Sequence, residues 1–139
     1  MGSFSSFDVS ASGIHAQRAR MDVIANNIAN ADSTRTAGGG PYRRQNVVFR
    51  AVYEQSVGNK YPSAGVEVEG VVEDPTDFRT VYDPSHPDAD ANGYVRMPNV
   101  NVVEEMVDMI SATRAYEANI TALNAAKSMI SAAIEIGRA

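Results

Sequence analysis

The chain has 139 residues, which suits one domain with a modest core. Twelve basic against seventeen acidic side chains give a net charge of −5, so the clustered cations that general nucleic-acid binding needs are missing. There is no cysteine, which excludes disulfides and thiolate chemistry, and the only histidines, His15 and His86, stand too far apart in sequence to suggest a zinc site.

Hydrophobic residues at 44% and charged residues at 21% describe an ordinary folded chain, and no run of apolar residues is long enough to span a membrane. Leucine occurs once, at Leu123, and the apolar mass comes from Ala, Val, Ile and Met. Alanine-rich helices with scattered Ile and Met suit close packing along a seam.

The first predicted helix runs from about Phe4 to Asn30. Ser5 followed by Asp8 has the spacing of a capping box. Phe7, Ala11, Ile14, Arg18, Met21, Ala25 and Ile28 alternate steps of four and three, the rhythm of a coiled-coil seam with Arg18 as its charged break. Ile24 lies beside that seam, and Gly13 within it costs about 1 kcal/mol relative to alanine. Asn26, Asn27 and Asn30 crowd the end of the helix although Asn is a poor helix former. They read either as a polar ladder for a neighbouring chain or as a frayed end bonded to its own backbone. Nothing before Arg18 resembles a secretory signal.

Residues 33–98 have the texture of a β-rich insert. Gly38-Gly39-Gly40-Pro41 marks a loop, and no Gly-Lys-Ser/Thr follows to make it a phosphate cradle. Tyr42 to Tyr53 carries Val47, Val48, Phe49 and Val52, and Val66-Glu67-Val68-Glu69 alternates apolar with acidic before Val71 and Val72. Phe78 to Tyr82 and Tyr94 to Met97 predict two more short strands. Tyr42, Arg43 and Arg44 read as a solvated loop or as a charge contact with an acidic neighbour. Asp88-Ala89-Asp90-Ala91-Asn92-Gly93 copies the opening of an EF-hand loop, but Asn99 stands where the bidentate Glu belongs and Pro84 and Pro87 bar an entering helix. A turn tipped by Asn92-Gly93 explains the same residues.

The second predicted helix begins after Pro98, with Asn101 and Glu104 as its cap, and meets no Gly or Pro until Gly137. About 36 residues at 1.5 Å each span roughly 54 Å, longer than a compact domain of this size is wide. Val103, Met106, Ile110 and Thr113 keep a seam spacing, which Ile120, Leu123, Lys127, Ile130 and Ile134 resume. Tyr116 and Glu117 share the position between them, the mark of a stutter. Glu104, Glu105 and Asp108 sit where the helix dipole favours acids, and solvated dipole partners are the simpler reading than a catalytic carboxylate pair. Val107, Met109, Ala112 and Met129 widen the apolar arc beyond one neighbour's reach.

These two helix sequences resemble a known family. Val9 to Gln17 and Met21-Asp22-Val23-Ile24-Ala25-Asn26-Asn27-Ile28-Ala29-Asn30-Ala31 are similar to the N-terminal signature of bacterial flagellar axial proteins, the rod, hook and hook-associated proteins. Val81-Tyr82-Asp83-Pro84-Ser85-His86-Pro87-Asp88-Ala89-Asp90, Gly93-Tyr94-Val95 and Met97 to Asn101 resemble the proximal-rod members of that family. So do Val103 to Ser111 and Arg114-Ala115-Tyr116-Glu117-Ala118-Asn119.

The resemblance implies an α+β fold in which long N- and C-terminal helices pair as a coiled coil around a small β-rich insert. Residues 1–32 and 99–139 then form a discontinuous helical assembly domain, and 33–98 the insert. It further implies a structural rod subunit of the flagellar basal body with no cofactor. Such a subunit leaves by the flagellar type III export apparatus without a cleaved signal and resides outside the cytoplasmic membrane. It stacks with copies of itself, with other rod proteins and with the adaptor between membrane ring and rod, and the rod carries torque to the hook. The expected assembly interface is Phe7, Ile14, Met21, Ile24, Asn26, Asn27, Ile28, Asn30, Met106, Ile110, Tyr116, Ile120, Leu123, Ile130 and Ile134. The alternative from another class is a small calcium-dependent or hydrolytic domain built around Asp83, Asp88, Asp90 and Glu104.

Overall fold

A computed structural model describes residues 2–53 and 64–138, with the side chains of 2–5 and 64 left out. The elements run α1 (Gly2–Ala29), β1 (Gln45–Tyr53), β2 (Ala64–Glu73), β3 (Arg79–Tyr82), β4 (Tyr94–Met97) and α2 (Val102–Arg138). This is the expected α+β architecture, two long terminal helices with a β insert between them. The strands form two separate antiparallel hairpins, β1–β2 and β3–β4.

Local chemistry accounts for the ends of the helices. Asn101 caps α2: its Oδ1 accepts the Val103 N–H at 3.1 Å, and its carbonyl accepts the Glu105 N–H at 3.0 Å. Helix α1 starts earlier than its cap signature suggests, so Asp8 lies within it, and the Ser5 side chain falls outside the described residues. At its other end Asn30 Nδ2 donates to the Asn26 carbonyl at 2.9 Å and Ser33 Oγ donates to Asn30 Oδ1 at 3.1 Å. The carbonyls of Asn26, Ile28 and Asn30 accept the backbone N–H groups of Asn30, Ala31 and Ser33, and these side-chain bonds add to that closure.

The helices run antiparallel. Asn27 meets Glu105, Met21 meets Thr113, and Gly13 meets Asn119, so the pairs ascend on one helix as they descend on the other. Hairpin β1–β2 packs against α1, where the Val66 N–H donates to Ser12 Oγ at 3.1 Å. A β-bulge between Val48 and Phe49 leaves Glu69 without an opposite number on β1.

The seam between the helices differs from the one periodicity suggests. On α2 the buried residues are Glu105, Ala112 and Ala126, and half-buried Met109, Tyr116, Asn119, Leu123 and Ile130 fall in phase with them in steps of four and three. The register is continuous through Tyr116, which corrects the expected stutter. Val103, Met106 and Ile110 lie outside this seam, and on α1 Arg18 and Ala25 are exposed while Gly13, Ala16, Ile24 and Asn27 are buried. A Cβ at Gly13 would stand 2.8 Å from Asn119 Oδ1, so the Asn119 side chain fills the space beside the glycine, and the small residues Gly13, Ala16, Ala112 and Ala126 are among those fully buried.

Replacing Gly13 by alanine tests that closeness. At an open helical site the change stabilises by about 1 kcal/mol. Here Asn119, held by its bond to the Ala115 carbonyl, blocks the new methyl group. Gly13→Ala should therefore lower the melting temperature followed by helical circular dichroism, and Gly13→Ala with Asn119→Ala should recover it. A rise on the single substitution would mean the helices lie farther apart.

Candidate functional site

At the base of the helix pair, α1, α2, the 42–45 segment and the loops flanking the insert converge on two buried polar side chains, Asn27 and Glu105, at 1% and 0% exposure. Burying an amide and a carboxylate is costly unless each finds partners, and both do. Asn27 Nδ2 donates to the Gln45 carbonyl at 2.8 Å and to Glu105 Oε2 at 2.9 Å. Its Oδ1 accepts from Tyr42 Oη at 2.9 Å and from the Gln45 N–H at 3.0 Å. The full bonding capacity of the amide is used.

Glu105 Oε1 accepts from Arg44 Nε at 2.5 Å. Arg44 Nη1 reaches Asp74 at 3.2 Å and Nη2 reaches Asp108 at 3.5 Å, while Asp108 also meets Arg20 of α1 at 3.6 Å. The backbone is tied in as well: the Arg44 N–H donates to Asn99 Oδ1 at 2.8 Å, and the Asp74 N–H donates to the Arg44 carbonyl at 2.8 Å. Asn99 Nδ2 in turn donates to Thr76 Oγ1 at 2.9 Å. One cluster thus clasps both helices and both ends of hairpin β1–β2.

The titration behaviour follows from these contacts. Burial works against a charged Arg44, but the hydrogen bond and charge of Glu105, followed by those of Asp74, outweigh it and raise the guanidinium pKa. Burial, then the charges of Glu105 and Glu73, push the Tyr42 phenol up, so it stays a donor to Asn27. The Thr76 N–H and hydroxyl hold Asp74 below its ordinary value, against some desolvation, and Arg44 adds to the effect.

Several expectations need revision here. Glu105 is no solvated dipole partner; it is the buried acid on which the clasp closes, because Arg44 and Asn27 satisfy both of its oxygens. Glu104 stays exposed and Asp108 is half-buried. The asparagines divide: Asn27 is buried in the clasp, Asn30 bonds the helix end, and Asn26 is exposed. Arg44 meets acids of its own chain, and Arg43 donates to the carbonyls of Asp74 and Thr76. Sequence reasoning missed Glu105, Arg44, Asp74 and Asn99 as a unit. A signal existed for Glu105 alone, since it falls in the same heptad phase as Ala112 and Ala126.

The other anticipated residues are spread along the helices. Ile24 is buried; Phe7, Ile14, Met21, Ile28, Tyr116, Ile120, Leu123 and Ile130 are half-buried; Met106, Ile110 and Ile134 are exposed. The calcium alternative finds no support. Asp83 Oδ1 accepts from the Ser85 N–H and hydroxyl, Asp90 Oδ1 from the N–H groups of Asn92 and Tyr94, and Asp88 from Thr34 and Arg35. Asp83 and Asp90 close separate turns near Gly93, whose φ of +83° suits the tip, Asp88 ties to the 34–35 loop, and among the described residues no three His, Cys, Asp or Glu are grouped to hold a metal.

Two long paired helices around a β insert are the parts of the chain that known rod-protein families share, and both helical ends match such families. The family model described as flagella basal body rod protein matches residues 7–35, and that described as flagellar basal body rod FlgEFG protein C-terminal matches residues 91–136. Asn27 and Glu105 each lie within one of these matches. The chain is 48% identical to the flagellar basal-body rod protein FlgC of Borreliella burgdorferi, with 98% of each chain covered. It is 47% identical to that of Bacillus subtilis over 99% of this chain and 100% of the relative, and 46% identical to that of Salmonella typhimurium over 95% and 96%. The chain belongs to the FlgC family of flagellar basal-body rod proteins.

Two outcomes test the clasp. Glu105→Ala strands Arg44 and leaves one Asn27 donor unpaired, so urea unfolding should show a loss of about 3–5 kcal/mol, and a loss typical of a surface site would contradict the assignment. Asp74 has a depressed folded-state pKa, so its contribution is present above the ordinary value of 3.8 and disappears as pH falls through the lower folded value. The stability gap between the native chain and Asp74→Asn should therefore be widest near neutrality and close in acid.

Proposed function

We propose that this chain is a structural subunit of the proximal part of the flagellar basal-body rod, acting by assembly and carrying no active site. The observation behind this reading is the apolar stripe on the open side of α2. Val103, Met106, Val107 and Ile110 are spaced i, i+3, i+4 and i+7, and are 69%, 54%, 61% and 58% exposed. Such a stripe, on the face opposite a filled seam, calls for neighbouring helices.

On this reading copies of the chain and other rod proteins cover the stripe together with Ile134 and the outer faces of Phe7, Ile14, Met21 and Ile28. Residues 1–32 and 99–139 are the assembling part, and 33–98 lie to its outside. The names of the relatives support a basal-body location, and no described helix is long and apolar enough to cross a membrane. The subunit leaves the cell interior through the flagellar type III export apparatus without signal cleavage, meets the adaptor at the membrane ring, and passes motor torque towards the hook.

The test is Ile110→Asp in a strain whose own copy is deleted. Swimming should be lost and rods should be missing from isolated basal bodies, while the purified variant keeps the circular dichroism of the native chain. Normal swimming would show that this stripe is not an assembly face.

A further inference from the structure

Hairpin β3–β4 carries a second surface of different character. Opposite pairs Tyr82 with Tyr94 and Thr80 with Arg96 share one side of it. The two tyrosines meet edge to face at 5.2 Å and remain 64% and 46% exposed. Beside them the Arg43 and Arg96 guanidinium groups lie 4.3 Å and 4.9 Å from the centre of the Phe78 ring. Arg43 is held there by two backbone carbonyls, and among the described residues neither arginine is in an ion pair. Two cations fixed around one ring, next to exposed aromatic groups, are preorganised for a partner that offers carboxylates among apolar side chains.

The same chain presents such a surface. Strand β2 exposes Glu69 and Glu73, with Val71 on the same face as Glu73 and 49% exposed, and the bulge leaves Glu69 out of the ladder. Copies with a net charge of −5 repel one another overall, so association needs a local match of opposite signs. We propose that the Arg43–Phe78–Arg96 face of one copy docks on the Glu69-bearing strand β2 of a second copy. Two different patches then meet, a head-to-tail contact that repeats without closing on itself, as a helical assembly requires. This rests on the rod-subunit reading and adds to it the partner and the polarity of the insert's contact.

The experiment uses charge reversal in the deletion strain, with cross-linking in basal bodies. Because the native chain has no cysteine, Thr80→Cys and Val71→Cys give clean single-site probes. Arg96→Glu and Glu69→Arg should each reduce the Thr80–Val71 cross-linked dimer by about tenfold, and the double variant should restore it. Unchanged cross-linking in the single variants would overturn the proposal. So would a double variant no better than Arg96→Glu alone, which would assign the cationic face to a different protein. Ile110→Asp separates the two readings: if it abolishes swimming while Arg96→Glu leaves cross-linking intact, the rod assignment stands and the hairpin contact falls.

Discussion

A carboxylate with no access to water is the constraint around which this molecule is organised. Glu105 is tolerable only while Arg44 and Asn27 are both in place. That requirement fixes the register of α2 on α1, because sliding either helix by one turn would part Asn27 from the acid. It also fixes the start of β1, since Asn27 bonds both the N–H and the carbonyl of Gln45. An apolar contact would have allowed several registers of nearly equal energy. A fully satisfied polar cluster allows one.

The small-residue seam complements this specificity. Gly13, Ala16, Ala112 and Ala126 give the helices little apolar area to bury between themselves, so the pair's own packing is modest. The larger side chains that a helix hairpin would normally turn inward, Met106, Val107 and Ile110, face outward instead. The clasp at the base thus holds the pair together at the end where this apolar stripe is left unburied.

Much of the fold was legible in the sequence. The two helices, the capping of α2 by Asn101 and the four strands follow from periodicity, turn residues and the cap signature. The seam of α2 was legible only in its second half, for a definable reason: periodicity gives weight to large apolar residues, whereas the most buried positions of the seam are held by Glu105, Ala112 and Ala126. Reading Val103, Met106 and Ile110 as the seam then forced a stutter at Tyr116 that the helix does not need. The clasp was hidden because its members are separated by up to 78 residues between Asn27 and Glu105, and because Arg44, Asp74 and Asn99 stand in loops where no period orders them.

The position of the clasp at one end of a long helix pair has a mechanical consequence. A pull that separates the helices at the far end opens the seam turn by turn, each contact carrying the load alone, and reaches Glu105 last. A pull along the helix axes at the base strains the bonds of Asn27, Arg44 and Glu105 together, and they must yield as one. The subunit therefore resists shear much better than peeling, and its stiff direction is the long axis of its helices.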